Sequence, residues 1–189
     1  MAELDPTLIQ AACCDDASAW DQLIQRYQLP LFTFAAELLR DHTAALDIVQ
    51  ETFTSAVANI GGLRDQTKFG SWLFGIAHQR CAQQFRRQQR VDALFTEMAP
   101  DGDDPDDVMP DPCAALLQKE QAETVLALVD RLPVPQKSAL LLHVLEGFSI
   151  DEIALISRVP VGTVKSRLHY AKRMLRQLPC LCAARTQRV

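Results

Sequence analysis

No apolar run in these 189 residues approaches the length of a membrane span, and no pair of cysteines has C-x-x-C spacing. The first absence argues against an integral membrane protein; the second removes the usual zinc-ribbon and dithiol redox frameworks. The start, M-A-E-L-D, lacks the basic-then-apolar pattern of a secretory signal, so the chain is expected in the cytoplasm, with its six cysteines as free thiols. Aromatics make up 6% of the residues, and no alternation of β period persists for a useful length, which points to an all-α fold. Positive charge is in deficit, at a formal net charge of −5, so a uniformly basic nucleic-acid coat is excluded.

That average conceals blocks. Residues 1–60 carry two Lys or Arg against nine Asp or Glu, and residues 61–95 carry six against two. Residues 96–123 reverse to one against nine, and residues 124–189 reverse again to ten against four, with no acid after Glu152. Alternating blocks imply alternating partners, two of them anionic. The seam is M-A-P-D-G-D-D-P-D-D-V-M-P-D-P, too rich in Asp, Pro and Gly for helix or strand. It divides the chain into a helical domain at 1–95, an acidic flexible linker at 96–115 and a second helical domain at 116–189.

In the first domain, Asp5-Pro6 suits the start of a short helix, and a second begins at Ser18 with Trp20, Leu23, Ile24 and Tyr27 on one face. Pro30 is expected to kink or end it, with Leu31–Leu39 as a separate helix. Asp41 caps the next, whose buried stripe is Ala45, Ile48, Val49, Phe53 and Val57. Ile60–Lys68 contains Gly61-Gly62 and reads as a loop before a helix from Ser71 to Gln88. The second domain holds helices at Pro112–Arg131 and Pro135–Leu145. His78 and Cys81 lie three residues apart, but no set of four ligands accompanies them, so no metal site and no cofactor is expected; a redox or metal role for Cys180-x-Cys182 stays open.

The richest segment is Ser149–Leu175. Ser149 and Glu152 form a capping box for one helix, and Pro160 suits the first turn of the next. There Val164, Leu168, Ala171 and Leu175 make an apolar stripe, leaving Thr163, Lys165, Ser166, Arg167, His169, Tyr170, Lys172 and Arg173 outward. A short helix anchored behind and cationic in front fits a DNA major groove.

V-G-T-V-K-S-R-L, preceded by D-E-I-A, closely resembles region 4 of the extracytoplasmic-function (ECF) sigma factors of bacterial RNA polymerase, group IV of the sigma-70 family. D-H-T-A-A-L-D-I-V-Q-E-T-F (Asp41–Phe53) and F-G-S-W-L-F-G-I-A-H (Phe69–His78) resemble region 2, and R-L-P (Arg131–Pro133) opens region 4 in the usual way. The resemblance implies an alternative, non-catalytic sigma subunit without a small-molecule substrate. It would bind core polymerase through the β′ clamp and β flap and start transcription at specific promoters. The polymerase face would be Asp41, Asp47, Gln50 and Glu51. The −10 element would meet Arg64, Lys68, Phe69, Arg80, Arg86 and Arg87; the −35 element would meet Thr163, Lys165, Ser166, Arg167, His169, Tyr170 and Arg173. An anti-sigma factor, membrane-anchored and thus able to hold the chain at the inner membrane, would keep it inactive until a signal arrives. The family commonly has Gly where this chain has Arg158, which implies either a left-handed backbone there or a slightly altered turn with a changed crossing angle. A sigma-like decoy, an operator-binding repressor and a helical metalloenzyme are the rivals; the basic recognition helix disfavours the first and the missing ligand set the last.

Overall fold

The computed structural model describes residues 6–95 and 129–176. Its helices are α1 (Pro6–Cys13), α2 (Ala17–Leu39), α3 (His42–Asn59), α4 (Phe69–Phe95), α5 (Val134–Val144), α6 (Ile150–Ser157) and α7 (Val161–Arg176), with no strand among the described residues. The expected helix at Pro112–Arg131 and the acidic linker lie almost wholly outside the described residues.

Side-chain caps set the starts. Asp16 accepts from the Ser18 and Ala19 amides to open α2, and Asp41 does the same for Thr43 and Ala44 at α3. Pro30 does not end α2, contrary to the sequence expectation; Ala17–Leu39 is one helix with Pro30 inside it. The buried stripe explains this. Leu31, Phe34, Ala35 and Leu38 continue the face begun by Trp20, Leu23 and Tyr27. An internal proline costs about 3 kcal/mol, whereas burying Leu31 and Phe34 alone returns roughly 3–6 kcal/mol. The chain turns at Arg40, left-handed at φ 57°, and α3 packs back on α2. Ala45, Ile48 and Phe53 of α3 are buried as expected, but Val57 is 47% exposed. The segment from Ile60 to Lys68 contains two short 3-10 turns, Ile60–Gly62 and Gln66–Lys68. Helix α4 then packs on both α2 and α3, with Phe74 edge-on to Phe34 at 5.8 Å and Phe69 edge-on to Tyr27 at 5.5 Å.

In the second half, the Pro133 carbonyl accepts from Gln136 and Lys137 to start α5. The capping box at α6 is complete: Glu152 N–H donates to Ser149 Oγ at 3.3 Å, and Ser149 N–H donates to Glu152 Oε2 at 2.9 Å. Arg158 closes α6 in the left-handed region at φ 54°, the first of the two alternatives its place in the turn left open. The Pro160 carbonyl accepts from Thr163 and Val164 to begin α7. Val164, Leu168 and Ala171 are buried, so the stripe read from the sequence is the one that packs.

The two halves touch. Phe148, before α6, is 4% exposed and lies edge-on to Phe74 of α4 at 5.1 Å. Across the same seam, a Cβ at Gly75 would lie 3.9 Å from Ile156 Cα. One apolar cluster therefore runs from α1 to α7, and a smaller one, Val129, Leu132, Leu140 and Ala171, lies behind α7.

Candidate nucleic-acid and polymerase interface

Helix α7 holds its outward side chains by burying Val164, Leu168 and Ala171 at helical spacing, and no acid occurs along it. Lys165, Ser166, His169, Lys172 and Arg173 are exposed, and Thr163, Arg167 and Tyr170 are half-buried. Arg173 lies over the Tyr170 ring at 5.4 Å, a cation–π contact that stiffens both. Ser166 donates its hydroxyl to the Gly162 carbonyl at 2.8 Å, which leaves its oxygen lone pairs outward. A groove along this face is lined by Thr163, Lys165, Arg167, His169, Tyr170 and Arg173. Gln136, from the first turn of α5, joins them, and its Oε1 is shielded without a hydrogen-bond partner among the described residues. Motif reading overlooked Gln136, because it lies some thirty residues upstream of α7 and enters the groove only through α5–α7 packing.

A second surface lies on α3. Asp47, Gln50, Glu51 and Thr54 are exposed beside Leu46, which is itself 60% exposed. They line a shallow groove with Ser55 and Arg80 of α4. Arg80 donates to Glu51 Oε2 at 2.7 Å. The sequence had grouped these two with different partners; here each orients the other. Asp41, expected on the same face, spends its carboxylate on the α3 cap.

Between the surfaces runs the Gly-containing loop. Arg64 and Lys68 are exposed, with Lys68 Nζ 3.5 Å from Asp65. The Thr67 hydroxyl, then its backbone and Lys68, hold the Asp65 carboxyl below its ordinary range. Phe69 is the exception among the expected DNA-facing residues. It is 0% exposed, packed on Tyr27 and 5.8 Å from Trp72, so its ring supports the loop from behind. Its apolar ring gains more from the core than from water. Arg86 and Arg87 are exposed further along α4.

Two groups between α4 and its neighbours are displaced in pKa. Burial first, then the Arg167 guanidinium, pushes His78 down to about 4. Burial pushes the Cys81 thiol up to about 12, as befits an inert core thiol.

Residues 23–91 match the model of sigma-70 region 2, and residues 122–175 match that of sigma-70 region 4. The ECF RNA polymerase sigma-E factor of Haemophilus influenzae is 32% identical over 180 residues, covering 90% of this chain and 93% of that one. The RNA polymerase sigma-H factor of Pseudomonas aeruginosa is 30% identical over 175 residues, covering 90% and 91%. The chain belongs to the ECF sigma factors. Among solved structures, this sigma factor is similar to RpoE of Bartonella quintana in complex with the anti-sigma factor NepR. That match has 25% identity and a TM-score of 0.61, covering 82% of this chain and 95% of that one. CnrH, solved in complex with the cytosolic domain of CnrY, shares its fold at 22% identity and a TM-score of 0.64, covering 95% and 97%. As a sigma factor it is an initiation subunit of bacterial RNA polymerase. Its α6–turn–α7 unit lies within the matched region 4, and its α3 and α4 surfaces lie within the matched region 2. No helix among the described residues is long and apolar enough to cross a membrane.

Proposed function

We propose that this ECF sigma factor does no covalent chemistry and works as two DNA-reading modules, residues 1–95 and 116–189, tethered by the acidic segment 96–115. The α3 face, with Leu46, Asp47, Gln50 and Glu51, docks on the β′ clamp of core polymerase, where acids and amides complement a basic partner helix and set register. Arg64 and Lys68 of the loop and Arg86 and Arg87 of α4 hold the opened −10 strand through its phosphates. Helix α7 enters the −35 major groove. Lys165, Arg167 and His169 reach base edges there, and Arg173 reaches phosphate. Region 4 also meets the β flap. The protein acts in the cytoplasm and is held off by an anti-sigma factor, itself membrane-anchored. The RpoE neighbour solved with NepR supports that partner class.

The observation that carries this reading is the acid-free, cation-bearing face of α7, fixed by its buried stripe inside a segment matching region 4. Run-off transcription with purified core polymerase tests it. Arg167→Ala is expected to lose −35-dependent initiation while still binding core. Asp47→Lys is expected to weaken core association while region 4 still binds DNA. Promoter output unchanged by Arg167→Ala would refute the groove assignment, and equal core affinity for Asp47→Lys would remove α3 from the clamp.

A further inference from the structure

The three cysteines among the described residues divide two to one. Cys81 is buried in the core on α4, while Cys13 and Cys14 are both exposed. Cys13 is the last residue of α1, and Cys14 follows in the turn to α2. Two solvent-exposed thiols therefore stand on consecutive residues.

The backbone beneath them is fixed. Ile9 and Ala12 anchor α1 at 0% exposure. The Ala12 carbonyl accepts from Trp20 Nε1 at 3.2 Å and from the Asp15 amide at 3.2 Å. The Cys14 and Asp16 amides both donate to the Ala11 carbonyl, at 2.9 and 3.2 Å. Asp15 makes the turn with a left-handed backbone at φ 59°, and Asp16 then caps α2 through the Ser18 and Ala19 amides. The two thiols ride on a closed turn, so little backbone ordering is needed for them to act together. Helix α1 also packs on both 3-10 turns of the Ile60–Lys68 loop, which makes the pair part of an element that props that loop.

A disulfide between the two is disfavoured. Their peptide is trans, which sets the Cα atoms about 3.8 Å apart, short of the roughly 4.4–6.8 Å that a relaxed disulfide spans. Cys81 is enclosed in the core and offers no alternative partner. In a reducing compartment the pair stays as two thiols. Most metal ions are ruled out by ligand count. Structural zinc takes four ligands, and calcium and magnesium take several oxygens. Among the described residues no group of three or more His, Cys, Asp and Glu could hold a metal, and the Asp16 carboxylate is committed to its cap. A soft d10 ion is different, because two thiolates satisfy it. The four-ligand criterion applied to the sequence does not cover such an ion.

We propose that Cys13 and Cys14 form a two-coordinate site for a soft d10 cation of the Cu(I) class. One Cu(I) forms two Cu–S bonds, both thiol protons pass to solvent, and no electron is transferred, so the bis-thiolate complex carries one negative charge. Neither residue lines the α3 or the α7 groove, and the site stands independently of the promoter reading.

The test is an anaerobic titration of the full-length chain with Cu(I) supplied as its bicinchoninate complex, whose colour fades as the protein removes the ion. Cys113, Cys180 and Cys182 are first replaced by Ser, which leaves Cys13, Cys14 and the core thiol Cys81. The expected result is one Cu(I) per chain with two sulfur neighbours by X-ray absorption. Adding Cys14→Ser is expected to weaken binding about a hundredfold, because the second thiolate no longer acts as a tethered ligand at high effective concentration. Should the triple replacement misfold, Cys13→Ser and Cys14→Ser in the otherwise unchanged chain are each expected to lower the uptake by one equivalent; both side chains are exposed, so neither change disturbs the core. No uptake, uptake indifferent to Cys13→Ser and Cys14→Ser, or an ion that joins two chains in sedimentation overturns the site.

Discussion

Acidification should loosen this protein through His78. The imidazole is half-buried on α4, and that burial, then Arg167, pushes it down to about 4 from an ordinary 6.5. A group depressed in this way is neutral in the packed form and takes up its proton first in any form that exposes it. Its contribution is therefore intact above pH 6.5 and is lost progressively as the pH falls from 6.5 towards 4. At about pH 5.5 the loss is roughly 1.4 kcal/mol, or tenfold in the unfolding equilibrium, and it reaches about 3 kcal/mol only below pH 4. Glu146 works the other way. It is 8% exposed, and burial raises its carboxyl pKa. That penalty lifts as the pH falls, so part of the His78 loss is offset. Only a comparison with a variant isolates the imidazole. His78→Gln stays neutral at every pH and keeps Glu146 unchanged. Urea titrations of both proteins at about pH 7.5 and about pH 5.5 are expected to show a wild-type drop in unfolding free energy that exceeds the variant's by roughly 1.3 kcal/mol. If both fall equally, the proton is taken up elsewhere and the His78 argument is wrong.

Arg158→Gly should stabilise region 4. The left-handed backbone at φ 54° costs a non-glycine residue about 1–2 kcal/mol, and the entropy a glycine brings to the unfolded chain takes back about 0.5–1 kcal/mol. A rise of about 0.5–1 kcal/mol by urea titration is expected, and a fall would mean the arginine side chain contributes more than its backbone strain costs. Gln136→Glu should cut −35-dependent initiation roughly tenfold, because a carboxylate in the α7 groove repels the phosphates that Lys165 and Arg173 attract. Output equal to wild type would place Gln136 away from the duplex.

Local signals were legible wherever one segment held all the information. The Ser149–Glu152 capping box, the Asp41 cap and the α7 stripe each depend on a few neighbouring residues, and each is present as read. Pro30 misled because helix propensity is a local preference, and the burial of Leu31, Phe34 and Leu38 is decided by α3 and α4. Val57 misled in the opposite sense: it sits at helical spacing, but near the end of α3 no element among the described residues covers it. Phe69 looked like part of a DNA-facing loop because it follows Lys68 directly. Its burial depends on Tyr27, 42 residues earlier.

The chain by itself determined that helices form, where they are capped, which face of α7 is cationic, and through its motifs which family it joins. Those properties are set by side-chain chemistry over a turn or two of backbone. Only the tertiary structure decided that Gln136 shares a groove with α7, that Arg80 is bound to Glu51, and that Asp130 bridges Arg40 and Lys137. Each of these brings together residues from separate elements, and no periodicity encodes such a meeting. It follows from how the apolar stripes of α2, α4, α5 and α6 close on one another around Phe74 and Phe148.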